Sequence, residues 1–104
     1  MSLRIDILYT SDCTDWPTAA ELVTQVLNDL GLAAEVSSYL VKSDRQAIEL
    51  NFIGSPTILV NGVDPWPIPG APAGLRLRPY FTEQGMLGHP TYAMLYDVLQ
   101  AYAS

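Results

Sequence analysis

The chain of 104 residues has one cysteine and one histidine. A single thiol closes no internal disulfide, and alone it builds no cysteine-rich zinc site. Basic residues are also scarce: five lysines and arginines stand against eleven aspartates and glutamates, for a formal net charge of −6. An acidic surface repels phosphate backbones and anionic lipid, so neither nucleic acid nor a membrane is an expected partner. No apolar run approaches the ~20 residues of a membrane-spanning helix. The stretch from Met1 to Tyr9 lacks the basic, apolar and cleavage regions of a secretory leader, which makes the cytoplasm the expected compartment.

What is present is apolar. Hydrophobic residues make up 49% of the chain and charged residues 15%, the balance of a packed globule. The length suits one domain with one core. There are no internal repeats.

Local patterns give an order of elements. Leu3 to Tyr9 alternates and then turns apolar, predicting a strand that ends buried. Thr10 to Asp15 is a polar loop. A helix follows, with Asp15 or a neighbour available to cap it and Pro17 in the first turn, where no N–H is needed. Ala19, Leu22, Val23, Val26, Leu27 and Leu30 form its apolar face, and Gly31 ends it. Ala34 to Val41 holds a second strand, with Val36, Tyr39 and Leu40 expected to point inward. Ser43 and Gln46 have capping-box spacing, opening a short helix through about Asn51.

Pro56 to Val60 reads as a third strand, followed by the hairpin signal Asn61-Gly62. Four of the eight prolines then fall between Asp64 and Gly74, predicting a loop that interrupts the hairpin. Leu75 to Phe81 is expected to return as a fourth, edge strand, and Glu83 to His89 as a loop. Pro90 opens a last helix with Met94, Leu95, Val98, Leu99 and Tyr102 as its stripe. The expected fold class is therefore α/β, β-α-β-α-β-β-α, with a four-stranded mixed sheet flanked by helices. Strands joined through a helix should be parallel, and the last two strands antiparallel.

Two segments carry a resemblance. Cys13-Thr14-Asp15-Trp16 lies between the first strand and the first helix, and Gly54-Ser55-Pro56-Thr57 lies just before the third strand. With Asn61-Gly62 and Gly88-His89-Pro90-Thr91, this arrangement resembles small bacterial thioredoxin-like and glutaredoxin-like proteins along nearly the whole length. The resemblance implies a reactive thiol at Cys13 and a cis-proline at Pro56 facing it. It also implies a substrate groove built from Thr14, Asp15, Trp16, Ser55, Pro56 and Thr57. In that family the backbone before the proline pairs with an extended peptide or glutathione, and here that backbone is Ser55. The chain also departs from the pattern. Trp16 stands where the resolving cysteine would be, and Leu75-Arg76-Leu77-Arg78 holds no replacement thiol. A dithiol cycle is therefore excluded for this chain acting alone.

At Cys13 two electrostatic effects compete. The helix N-terminus favours a thiolate by about 0.3–1 kcal/mol. An acid at about 6 Å, such as Asp12 or Asp15, opposes it by roughly 0.7–2.8 kcal/mol as the effective dielectric falls from ~80 to ~20. No cation lies nearby in sequence to offset the repulsion. Trp16 either covers Cys13 or packs the helix start, and Trp66 is expected to anchor the proline-rich loop. Arg76 and Arg78, two apart on the expected strand, should share a face, where they would hold a carboxylate or pair with the excess acids. His89 has no companion for catalysis. Tyr92 and Tyr96, on a largely apolar helix, suggest a homodimer contact, with the alternative that their rings lie flat on the surface.

Two functions follow. One is a monothiol redox protein in which Cys13 exchanges with a small thiol or protein mixed disulfide, needing no cofactor beyond a low-molecular-weight thiol as co-substrate. The other is a non-catalytic binding module on the same scaffold. Capture of a soft metal such as mercury is a weaker third, because one thiolate per chain makes a poor site unless two chains contribute. No site for a resident metal is expected.

Overall fold

The alternation at the start of the chain places β1 (Leu3–Tyr9) at the centre of a sheet. The structure, a computed structural model, describes residues 3–103; Met1 and Ser2, part of the stretch read above for a leader, lie outside them. Leu3, Ile5 and Ile7 point to one face of β1 and are buried. Helix α1 (Trp16–Leu30) covers that face with Ala19, Val23, Val26 and Leu27. Its C-terminus closes on Gly31 in the left-handed conformation, φ 67°, whose N–H donates to the Asn28 and Leu27 carbonyls.

Strand β2 (Ala34–Leu40) pairs parallel with β1, and β3 (Thr57–Val60) pairs antiparallel on the other side, giving the mixed order β2-β1-β3. The last helix, α3 (Tyr92–Leu99), followed by a 3-10 turn over Gln100–Tyr102, adds Leu95 and Leu99 to the same core. A smaller cluster, Leu8, Val41, Ala47 and Phe52, sits on the opposite face beneath the short helix α2 (Asp44–Glu49). Ser43 caps α2 by accepting from the Gln46 N–H, and the Gln46 side chain reaches back to the Lys42 N–H at 2.7 Å. Among the described residues no helix is long and apolar enough to cross a membrane.

The molecule is thus an α/β domain, but the sheet has three strands where four were expected. At Asn61 and Gly62 the chain turns with φ 49° and 82°, and Val60 bridges Val63 antiparallel. Pro65, Pro67 and Pro69 follow at once, and a proline has no N–H to extend the ladder. The chain leaves β3 after that single pair. The segment expected as the fourth strand begins with one bridge, Leu77 to Ser55, and that bridge is parallel. Regular structure resumes only in a separate antiparallel hairpin, β4 (Tyr80–Thr82) and β5 (Gly85–Leu87). Strand β5 falls where a loop was expected.

Three further expectations are corrected. β3 follows β2 through α2 yet runs antiparallel to it, since β2 is parallel to β1 and β3 antiparallel. Val36, Tyr39 and Leu40 are exposed, at 41%, 47% and 37%, because β2 is an edge strand and the core packs over the β1 and β3 side. Helix α2 ends at Glu49, two residues short of the expected Asn51. Asn51 itself has φ 53°, a left-handed conformation that stops the helix.

Candidate functional site

The loop after β1 is drawn tight by its own polar groups. The Cys13 N–H donates to the Thr10 carbonyl at 3.1 Å, and the Thr10 hydroxyl donates to Asp12 at 2.6 Å. The Thr10 N–H donates to the Ser55 hydroxyl at 3.0 Å. One residue therefore ties the Cys13 turn to the turn before β3. The Ser55–Pro56 peptide bond is cis. Cys13 is a free cysteine, buried at 6% exposure. Thr14 beside it is exposed.

Ser55 is almost completely buried, and its backbone is fully occupied. Its N–H donates to the Arg76 carbonyl at 2.7 Å, and its carbonyl accepts from the Arg78 N–H at 3.0 Å. The edge expected to receive an extended ligand thus carries a piece of this chain, residues 76–78. Arg78 pegs that piece in place. Its guanidinium donates to Asp64 at 2.7 Å and to the Trp66 carbonyl at 2.8 Å, and lies 4.4 Å from the centre of the Tyr80 ring. Arg76 instead is exposed and donates to the Pro72 carbonyl. The two arginines thus have different surroundings, Arg78 buried and Arg76 exposed.

Thr57 is buried beside this peg, donating to the Gly54 carbonyl at 2.5 Å. Tyr80 donates its hydroxyl to the Pro56 carbonyl at 2.5 Å. Burial first, and then the neighbouring Asp64 and Cys13, push the Tyr80 phenol well above its ordinary range, against the opposing pull of Arg78.

The aromatic residues hold the frame. Trp16 stacks on Tyr9, ring centres 4.1 Å apart and planes 16° apart, and packs against the main core. Trp66 meets Tyr80 edge to face at 5.9 Å and its backbone N–H donates to Asp64, which anchors the proline-rich loop. Tyr92 donates to Asp29 at 2.6 Å and so links α3 to α1, and Tyr96 stacks beside it. The His89 ring nitrogen Nδ1 lies 2.8 Å from the Pro90 carbonyl, a local backbone contact.

Of the candidate residues, Asp15 and Ser55 share an opening. It is a cavity of about 330 Å³, completed by Leu77, Arg78, Pro79, Met86, Leu87 and Gly88. Asp15 stands at the N-cap of α1 in a helical conformation, φ −94° and ψ −14°, and its side chain makes no capping bond. The carboxylate lies over Gly88 instead, where an added Cβ would collide with it. Cys13, Thr14, Trp16, Pro56 and Thr57 do not line this opening. Sequence reasoning missed the hairpin residues Met86 and Leu87, which look like loop in a short polar context. It also missed the role of Gly88, which shows only once Asp15 is seen above it. Among the described residues no group of three His, Cys, Asp or Glu side chains could hold a metal ion. Comparison of the chain with family models, curated proteins and solved structures found no match.

Proposed function

We propose that this chain is a ligand-binding domain on a thioredoxin-like scaffold whose thiol is shielded and takes no part in chemistry. The scaffold reading rests on the β2-β1-β3 core with one parallel and one antiparallel pair. It rests also on Cys13 in the loop before α1 and Gly54-Ser55-Pro56-Thr57 before β3. The observation that carries the binding reading is the engagement of both Ser55 backbone groups by Arg76 and Arg78. A disulfide substrate needs that edge and a reachable sulfur. Here the edge is filled from within, Cys13 is buried, and no second thiol follows an attack. The cavity between Asp15 and the β4–β5 hairpin is open and borders Ser55.

Thiol accessibility tests this. Iodoacetamide should alkylate native Cys13 at least ~100-fold more slowly than the unfolded chain, as expected when reaction waits on opening. Oxidised glutathione should leave no mixed disulfide on native protein, and Cys13→Ala should fold normally. Rapid native alkylation together with a glutathione adduct would overturn the proposal. It would favour the alternative, monothiol exchange with a small thiol or protein disulfide. That alternative draws on one observation, that Thr10 bonds both the Cys13 turn and Ser55.

A further inference from the structure

We propose that the cavity between Asp15 and the β4–β5 hairpin binds a small organic cation, a primary ammonium carried on an aliphatic stem. The inference rests on the binding-domain reading and names its ligand class.

The charge comes from Asp15. At an N-cap an aspartate ordinarily accepts from the N–H groups of the first turn. Here the helical backbone angles turn it away, and its carboxylate makes no hydrogen bond or ion pair with any described residue. Gly88 gives it room, since any side chain at that position would displace it. The pocket thus contains a carboxylate with no bonded partner, its full charge offset only in part by the positive end of α1. The one cation in its wall, Arg78, is already committed to Asp64 and the Trp66 carbonyl. The formal net charge of −6 over the whole chain also draws cations toward its surface and repels anions.

The rest of the wall selects the kind of cation. Leu77 and Met86 are 54% and 62% exposed, and Pro79 and Leu87 stand with them. These side chains would shield an aliphatic stem, and methionine adapts its shape to what it covers. A hard metal ion needs about six to eight oxygen ligands, and one carboxylate with apolar neighbours does not supply them. The cavity, about 330 Å³, is at the small end of ligand sites, which run from about 300 to 1,000 Å³.

Titration of the 15N-labelled full chain with n-hexylammonium, hexanol and hexanoate tests this. Hexylammonium should shift the amide signals of Asp15, Ser55, Leu77, Met86 and Gly88. Hexanol should bind about fivefold or more weakly, and hexanoate more weakly still, because a charge-assisted hydrogen bond to the carboxylate is lost. Asp15→Asn should erase the preference for hexylammonium over hexanol. Gly88→Ala should weaken hexylammonium binding by displacing the carboxylate, with the fold checked in the same spectra. Equal binding of the three probes, shifts confined to another surface, or an undiminished ammonium preference in Asp15→Asn would each overturn the assignment. Slow Cys13 alkylation without ammonium binding would sink the ligand class and leave the binding-domain reading. Fast alkylation with ammonium binding intact would do the reverse.

Discussion

Arg78 and Asp64 meet at 2.7 Å, with the arginine side chain only 2% exposed and the aspartate 18%. The Arg78 Nε–H is buried beside them with no acceptor. This pair decides where the chain goes after β3. It holds residues 76–78 against Ser55 and fixes the proline-rich loop through Asp64 and Trp66.

Removing the carboxylate should cost more than removing the guanidinium, because Asp64, 18% exposed, still reaches water when left alone and Arg78, 2% exposed, does not. Asp64→Ala strands a buried guanidinium and should lower stability by about 3 kcal/mol, the lower end for a broken buried pair. Arg78→Met deletes the charge and the unpaired N–H together, so the loss should be smaller. Urea unfolding of both variants checks this; the opposite ranking would refute the stranded-charge argument, and losses below about 1 kcal/mol in both would remove the pair from its role as a peg.

Tyr80 should make stability fall with alkaline pH. Its phenol is held above the ordinary value of about 10 by burial. Below that value both folded and unfolded chains keep the proton, and the contribution is fully present. Above it the unfolded tyrosine ionises while folded Tyr80 does not, so the unfolded state gains. The slope approaches about 1.4 kcal/mol per pH unit. Comparing wild type with Tyr80→Phe from pH 9 to 11.5 isolates this residue, and parallel curves would refute it.

Gly54 should tolerate no side chain. Its φ is 151°, and an added Cβ would lie 2.6 Å from the Arg78 Cβ. The strained backbone conformation alone costs about 1–3 kcal/mol. Because the collision pushes on residues 76–78, Gly54→Ala should also speed hydrogen exchange at the Arg78 N–H. Exchange unchanged at that amide would mean that residues 76–78 do not bear on Gly54.

Trp16 should act through Tyr9. Their stacked rings, 4.1 Å apart, should show a coupling of about 0.5–1.5 kcal/mol in a double-mutant cycle of Trp16→Leu and Tyr9→Leu. Additive losses would make the tryptophan simple filler of the helix start.

Most of the local structure was readable from neighbours in the chain. The i, i+3 and i+4 spacing of Ala19, Val23, Val26 and Leu27 marks the buried face of α1, and Gly31 its end. Ser43 and Gln46 cap α2 as their spacing implies, and Asn61-Gly62 turns as its dipeptide implies. The β2 residues misled because alternation reports a strand, not whether helices cover it. Val36 and Tyr39 are apolar enough for a core that does not reach them.

The site was half legible. Cys13-Thr14-Asp15-Trp16 and Gly54-Ser55-Pro56-Thr57 draw attention to Asp15, Ser55 and Cys13 through their resemblance to thioredoxin-like proteins. Their relation was decided only by long-range pairing. Residues 76–78 reach Ser55 across more than twenty positions of sequence, and Gly88 lies under Asp15 from more than seventy positions away. Turns, caps and periodic faces come from interactions within a few residues, so the sequence by itself determined them. Which sheet edge stays open, which thiol is covered and which carboxylate is left unpaired depend on distant segments competing for the same hydrogen bonds and the same space. Only the folded chain decided those.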